Sequence, residues 1–290
     1  SLASGRACIK ALKSKRYKVS SFDPKKKNFN LINKKKIDVI FNALHGKGGE
    51  DGVAQSYFEY LGIPYTHSGV VSSFNSMDKL ISKQIFLKKK ILTPKYFSIN
   101  GHEYKISALR EIIKKKNIKF PIVVKPVDEG SSLGVNICKN FESLISSSKK
   151  LFKKYDKIIF EKYIPGQEVQ VAIINNKALG AIELIPKRAF YDYKAKYTKG
   201  AKTKHVMPAR LTKKNYNEVL RISKLAHNAL GCRGVTRSDF KFYNNKFYLL
   251  ELNTQPGMTN LSLVPEIANY CGINFSNLVE QILLDASINR

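Results

Sequence analysis

The chain reads as an α/β protein in which strands and helices are mixed along its whole length, an α+β arrangement in several layers. Three observations carry that reading. Residues 237–253, RSDFKFYNNKFYLLELN, form two period-2 strands around a short polar loop at Asn244-Asn245-Lys246. IDVIFNAL (37–44) is a short apolar run of the buried-strand type. Residues 212–230 repeat their apolar positions at helical spacing. At 290 residues the chain is long enough for two or three domains. Three segments are expected: 1–67, 68–161 and 162–290.

In the first segment a helix is expected over residues 3–15, then the strand 37–44, then a helix over 52–62 that ends on Gly62. Between that strand and helix lies HGKGGEDG (45–52), whose closely spaced glycines at a strand's C-terminal end make a candidate ligand crevice. In the second, a helix runs from Asp78 to about Lys89, and FPIVVKP (120–126) is a strand carrying Lys125 near its end. DEGSSLGV (128–135) is a small β-turn leading to a strand through Cys138. Such a turn offers backbone N–H groups to phosphate oxygens, and Lys125 beside it adds a point charge; a plain hairpin turn beside a surface lysine fits the local sequence equally well. In the third, two strands within 157–174 flank Pro165-Gly166 and leave Glu161 and Glu168 near that turn. Residues 187–206 are long, polar and aperiodic, the pattern of a lid. Closing helices are expected around 262–270 and 274–287, with Ser262 as N-cap.

The hairpin holds the most specific chemistry. Antiparallel pairing around its loop sets Asp239 opposite Glu251 and Arg237 opposite Asn253. Alternation puts Arg237, Asp239, Lys241, Glu251 and Asn253 on one face and Phe240, Phe242, Leu250 and Leu252 on the core face. Two carboxylates directly opposite on a ladder repel each other. A cation between them removes the conflict, and two carboxylates with an amide form an all-oxygen set suited to Mg²⁺. Neutralisation by Lys241 and Arg237 on a solvated face is the competing reading. A magnesium ion held by a few carboxylates usually accompanies nucleotide phosphates.

Composition narrows the class. Hydrophobic residues make up 43% and charged residues 25%, as in ordinary globular proteins. The net charge of +29 invites a nucleic-acid partner, but 42 of the 51 basic residues are Lys, scattered over helix ends and loops rather than gathered with aromatics into a stripe. Nucleic acid is therefore not the expected partner. No apolar run approaches the ~20 residues that cross a bilayer, so no membrane partner is expected. Cys8, Cys138, Cys232 and Cys271 are far apart and lack CxxC spacing, as expected of reduced core cysteines in a cytoplasmic protein.

Taken in order, ALHGKGGEDG, SMDK, IVVKPVDEGSSLGV, FEKYIPGQE, FYDYKAKY, TRSDF, LLELNTQPGMT and SLVP resemble the D-alanine–D-alanine ligase family of the ATP-grasp superfamily, across essentially the whole chain. The resemblance implies an ATP-grasp fold of three α/β domains with nucleotide between the central and C-terminal ones. It implies ATP as a substrate, Mg²⁺ or Mn²⁺ with two ions per site, and D-alanine as the other substrate. It also implies a homodimer and a cytoplasmic location. Residue by residue, Lys79 and Lys125 resemble phosphate-binding lysines, with Ser131, Ser132 and the turn to Gly134 closing over the triphosphate. Glu161, Lys162 and Ile164 match the adenine hinge, Glu168 the ribose carboxylate and Lys196 a γ-phosphate contact. Asp239, Glu251 and Asn253 match metal ligands, Arg237 and the Gly257 amide an oxyanion site, and Ser262 with the Leu263 amide a carboxylate site. His45 matches a histidine beside the first alanine, and Ser131 and Tyr197 match catalytic residues linked to the family's glutamate that binds that alanine's ammonium group. Lys194 stands where the resemblance leads one to expect an acidic residue. The family opens with a strand, a Gly-rich turn and a Glu-Arg-Glu-Val-Ser motif, and Ser1 falls about where that Ser lies, so the sequence is expected to be N-terminally incomplete.

The implied reaction phosphorylates the carboxylate of one D-alanine and lets the amine of a second attack the acyl phosphate, in the service of peptidoglycan precursor synthesis. Two other readings remain at this level: a D-alanine–D-lactate or D-alanine–D-serine type of ligase, against which Tyr197 speaks, and a non-catalytic nucleotide- or nucleic-acid-binding protein.

Overall fold

The computed structural model describes residues 1–186 and 203–290. Two antiparallel sheets dominate it. The first has strands β1 (Tyr96–Asn100), β2 (Ile122–Pro126), β3 (Asn136–Cys138) and β4 (Lys157–Lys162), in the order β1-β4-β2-β3. Helices α5 (Ile106–Lys115) and α6 (Phe141–Phe152) cover it, burying Leu109, Leu144 and Leu151 against Ile122, Val124, Ile158 and Phe160. The α6 start is fixed by Asn140, whose side chain accepts from the Ser143 N–H at 2.9 Å.

The second sheet has β5 (Gln167–Ile174), β6 (Lys177–Ile185), β7 (Lys204–Val206), β8 (Val235–Tyr243) and β9 (Lys246–Asn253), in the order β7-β6-β5-β8-β9. On one face Val169, Val171, Phe240 and Leu249 pack with Val219 and Ala226 of α7 (Lys213–Ala229) and with Phe86 of α4 (Lys79–Lys88). Against the other face lie α1 (Leu2–Ser14), α8 (Leu263–Tyr270) and α9 (Phe275–Leu284), packed on Ala172, Ile174, Ile182 and Val235. That face is therefore only partly covered, and its uncovered part, with Glu168, Asp239 and Glu251, borders the first sheet across a cleft. Residues 163–166 carry the chain from β4 in one sheet to β5 in the other.

Several expectations need correction. Residues 37–44 form no regular strand: they run extended, but their pairing reduces to one parallel bridge, Ile40 to Tyr65. Alternation along the stretch survives, since Val39 and Phe41 pack on the α1–α9 core and Ile40 and Leu44 on the core of α2 (Val53–Leu61). Of the four cysteines, all free, Cys271 is exposed and is no core residue. The hairpin turn has two residues rather than three: Tyr243 pairs with Lys246, and Asn244 and Asn245 both adopt left-handed φ, +49° and +55°. A bulge then shifts the register between Asp239 and Phe240. Asp239 consequently still faces Glu251 and Arg237 still faces Asn253, as expected, but Leu250 is turned out of the core and lines the cleft while Leu249 is fully buried. The last residues of the expected lid, Lys204–Val206, are strand β7.

Candidate active site

A cleft that opens to solvent lies between the two sheets. Its walls bring together Lys79, Lys125, Ser132, Glu161, Lys162, Ile164, Glu168, Asp239 and Glu251, all singled out from sequence, with Leu250 and Lys241 beside them. Each side chain is there for a local reason. Asp78 caps α4, accepting from the Leu80 and Ile81 N–H groups, and so places Lys79 on the first turn, facing the cleft. Lys125 is on β2, directly opposite Ile159 of β4, and Glu161 of β4 lies opposite Val123. On the second sheet Glu168 pairs with Lys241 and Gln170 with Asp239, so four polar residues share one face.

The charges are compensated. The Glu161 carboxylate is 2% exposed and bridges two ammonium groups, Lys125 at 3.0 Å and Lys83 at 3.1 Å. Burial alone would raise its pKa; Lys125 and Lys83 outweigh that and hold it below the ordinary value. Burial lowers the Lys79 pKa, while Glu251, 3.8 Å away, acts in the opposite sense. Lys241 holds Glu168 at 3.1 Å. Arg237 grips Asp239 with two parallel hydrogen bonds of 2.7 and 2.9 Å. The phosphate-type turn has its own geometry: Ser131, Ser132 and Gly134 all take left-handed φ, and Ser131 is exposed next to the cleft-lining Ser132. Turns of this kind can aim successive backbone N–H groups at an anion.

A second group of sequence-predicted residues gathers where β8 and β9 meet the loop 42–52. His45 receives one hydrogen-bond contact at each ring nitrogen, Ser4 Oγ at 3.1 Å and the Gln255 carbonyl at 3.0 Å. Burial lowers its pKa to about 4, with nearby positive charge including Arg237 acting the same way, so the ring is neutral at pH 7. Asn253 Oδ1 accepts from the Gln255 N–H at 2.8 Å, leaving its second lone pair for another partner. Gly257 lies against Ser262, where an added Cβ would sit 3.0 Å from the serine Oγ. Ser262 occupies the N-cap position of α8, yet its side chain does not cap the helix. Its Oγ instead accepts from the Thr259 N–H at 3.0 Å, which leaves the first-turn N–H groups, Leu263 among them, without a side-chain cap. Tyr197, Lys196 and Lys194, with the lid through residue 202, lie outside the described residues.

Sequence reasoning missed Glu50, Asn42 and Gln255. Glu50, in the Gly-rich loop, comes within 3.3 Å of where a Cβ on Gly130 would stand. Burial raises its pKa to about 7, and Glu251 adds to the rise. Asn42 and Gln255 join the same loop to the end of β9, Asn42 donating to the Gln255 side chain at 3.0 Å and Gln255 donating to the Leu44 carbonyl. All three lie in stretches already singled out, IDVIFNAL, HGKGGEDG and LLELNTQPGMT, but nothing local marks these positions in them.

As a metal site, the ladder supplies two carboxylates and an amide oxygen, a hard donor set that fits Mg²⁺ or Mn²⁺. Among the described residues no group of three or more His, Cys, Asp or Glu is placed to hold a metal ion. The described residues thus offer only part of a coordination shell.

Two family models cover most of the chain: the D-ala D-ala ligase C-terminus over residues 86–284 and the D-ala D-ala ligase N-terminus over residues 20–68. The chain is 56% identical over 290 residues to the D-alanine–D-alanine ligase of Pelagibacter ubique, covering 100% of this chain and 94% of that protein. It is 43% identical to that of Geotalea uraniireducens, covering 99% and 91%. Among solved structures, the D-alanine–D-alanine ligase from Bacillus anthracis complexed with ATP superimposes with a TM-score of 0.82 at 31% identity, over 98% of this chain and 91% of that one. With family models across both halves, full-length relatives and a shared fold, the chain belongs to the D-alanine–D-alanine ligase family.

Proposed function

We propose that the chain joins two D-alanines into D-alanyl-D-alanine at the expense of ATP, with the nucleotide seated in the cleft between the two sheets. One observation carries the placement: Lys79 and Lys125 from the first half of the chain line the same cleft as Glu168, Asp239 and Glu251 from the second. A triphosphate needs both its cationic and its metal-binding partners within reach, and here they converge. The ATP-bound relative from Bacillus anthracis supports the same reading.

In this reading Lys79, Lys125 and the 131–134 turn bind the phosphates, and backbone groups of Lys162 and Ile164 hold the adenine over Leu250. Glu168 takes the ribose hydroxyls. Asp239, Glu251 and Asn253 hold Mg²⁺ or Mn²⁺, in two ions, which neutralise charge on the transferring phosphoryl group when bound. Arg237, on the same face as Asp239 and hydrogen-bonded to it, would present its guanidinium to the reacting carboxylate of the first D-alanine. Opposite it, the Gly257 amide meets the same developing oxyanion. His45, neutral and held at both nitrogens, shapes the first alanine's pocket rather than moving a proton. The Leu263 amide and the Ser262 hydroxyl hold the second alanine's carboxylate at the α8 N-terminus.

The division into segments 1–67, 68–161 and 162–290, with lid 187–206, belongs to this proposal. Its support is the passage of the chain between sheets at 163–166. Among the described residues no helix is long and apolar enough to cross a membrane. A cytoplasmic location is proposed from the free cysteines and the family, and a homodimer from the family alone. The decisive experiment is phosphate release from ATP and Mg²⁺ with D-alanine or L-alanine. Release with D-alanine, matched by dipeptide formation, is the expected result. Release that ignores stereochemistry, or none, would refute the reading.

A further inference from the structure

Lys83 has no place in the scheme above, yet it is among the most deeply enclosed side chains of the molecule, with no exposed surface. It lies one helical turn after Lys79 on the same face of α4, behind the cleft wall rather than in it. Its ammonium donates to Thr93 Oγ1 at 2.6 Å, stands 3.1 Å from Glu161 Oε1 and sits 5.6 Å above the Tyr96 ring. Burial lowers its pKa, which marks how costly its charge is there. An apolar side chain of similar length would fill the space without that cost, and buried ion pairs are often replaceable in this way.

The charge count gives Lys83 a reason. Glu161 is one carboxylate shared by two ammonium groups, Lys83 on Oε1 and Lys125 on Oε2. Only Lys125 also lines the cleft. We propose that Lys83 is a positioning residue for ATP: by neutralising Glu161 from behind, it frees Lys125 to leave that carboxylate for the nucleotide phosphates. Without Lys83, turning Lys125 to a phosphate strands a buried, uncompensated carboxylate, and Lys125 stays on Glu161. This inference rests on the assignment of Lys125 to phosphate.

The test is a set of variants in the full chain, each read by KM for ATP, KM for D-alanine, kcat and Tm. Lys83→Met is expected to keep its fold, because Glu161 remains paired with Lys125, and to raise KM for ATP about tenfold or more. KM for D-alanine and kcat at saturating ATP should stay within about threefold. If Lys125→Met raises KM for ATP and Lys83→Met does not, the proposal is overturned while the site assignment stands. If Lys125→Met also leaves KM unchanged, the site assignment itself fails. Should Lys83→Met not fold, Thr93→Val decides: losing the hydroxyl that orients Lys83 should raise KM for ATP about threefold, and an unchanged KM would overturn the proposal.

Discussion

Arg237 is the residue on which chemistry and structure compete most directly. Its fork is closed on Asp239, a pairing that alone would justify an arginine. Lys at this position keeps the charge and loses the planar, two-point geometry. If Arg237 meets the oxyanion, Arg237→Lys should lower kcat by about 10²–10³ while the KM values change far less. A variant with normal kcat and only a weaker magnesium requirement would reduce Arg237 to the ion-pair role. Residue types were legible here because period-2 alternation forces Arg237, Asp239, Glu251 and Asn253 onto one face whatever the rest of the fold does. Partnerships were less so. Glu161 was visible as a hinge carboxylate, but its bond to Lys83 joins a helix to a strand far along the chain, and local periodicity carries no information about that. Glu50 was hidden for a related reason: its pKa is raised by burial and by Glu251, about two hundred residues along the chain, which local periodicity does not reveal.

Elements were legible where a boundary signal coincided with periodicity. The α4 start at Asp78, the strand ending at Pro126 and the α7 helix all appear close to the expected limits. Residues 37–44 failed because an apolar run marks burial, whereas a strand also needs a neighbour to bond. At the hairpin two departures cancelled: a two-residue turn displaces the register by one, and the bulge near Leu250 restores it before Asp239. Asn245 at φ +55° tolerates the left-handed region that alanine does not. Asn245→Ala should therefore cost about 1–2 kcal/mol, seen as a lower denaturant midpoint with an unchanged slope. A cost near zero would mean that the turn is not held in this form. The seam between α7 and β8 carries a pH dependence. His227, 1% exposed, shares a 2.8 Å hydrogen bond with Thr236, and burial depresses its pKa from 6.5 to about 4. The folded ring stays neutral while the unfolded ring binds a proton below 6.5. Its contribution is thus complete above pH 6.5 and is lost as pH falls toward 4, at up to about 1.4 kcal/mol per pH unit. His227→Gln should flatten the loss of stability between pH 6.5 and 4; equal slopes for variant and parent would show that this histidine is not the sensor.

At the scale of the molecule, the substrate site is not a property of either sheet. Among the described residues, β2 and the turn after it bring Lys125 and Ser132 to the cleft, α4 brings Lys79, and the second sheet brings Glu168, Asp239 and Glu251. Binding must therefore tie the two sheets together, and ligand affinity should appear as global stability. A ligand at a hundredfold excess over its Kd adds about 2.7 kcal/mol to the folded state, on the order of 4–5 °C in Tm for a chain of 290 residues. ATP with Mg²⁺ should reach that range, and ATP with chelator a smaller shift carried by Lys79, Lys125 and the 131–134 turn. Glu251→Gln separates the two contributions, because it keeps the shape of the cleft and removes one metal-facing charge. It should retain the shift given by ATP alone, lose most of the increment from Mg²⁺, and show a matching fall in phosphate release. The net charge of +29 makes a nonspecific gain from any polyanion conceivable, so the same titration with inorganic triphosphate at 0.15 M salt is the control. If Glu251→Gln keeps the full magnesium increment, or triphosphate reproduces it without adenosine, the carboxylate pair is not the metal site and the cleft does not read the whole nucleotide.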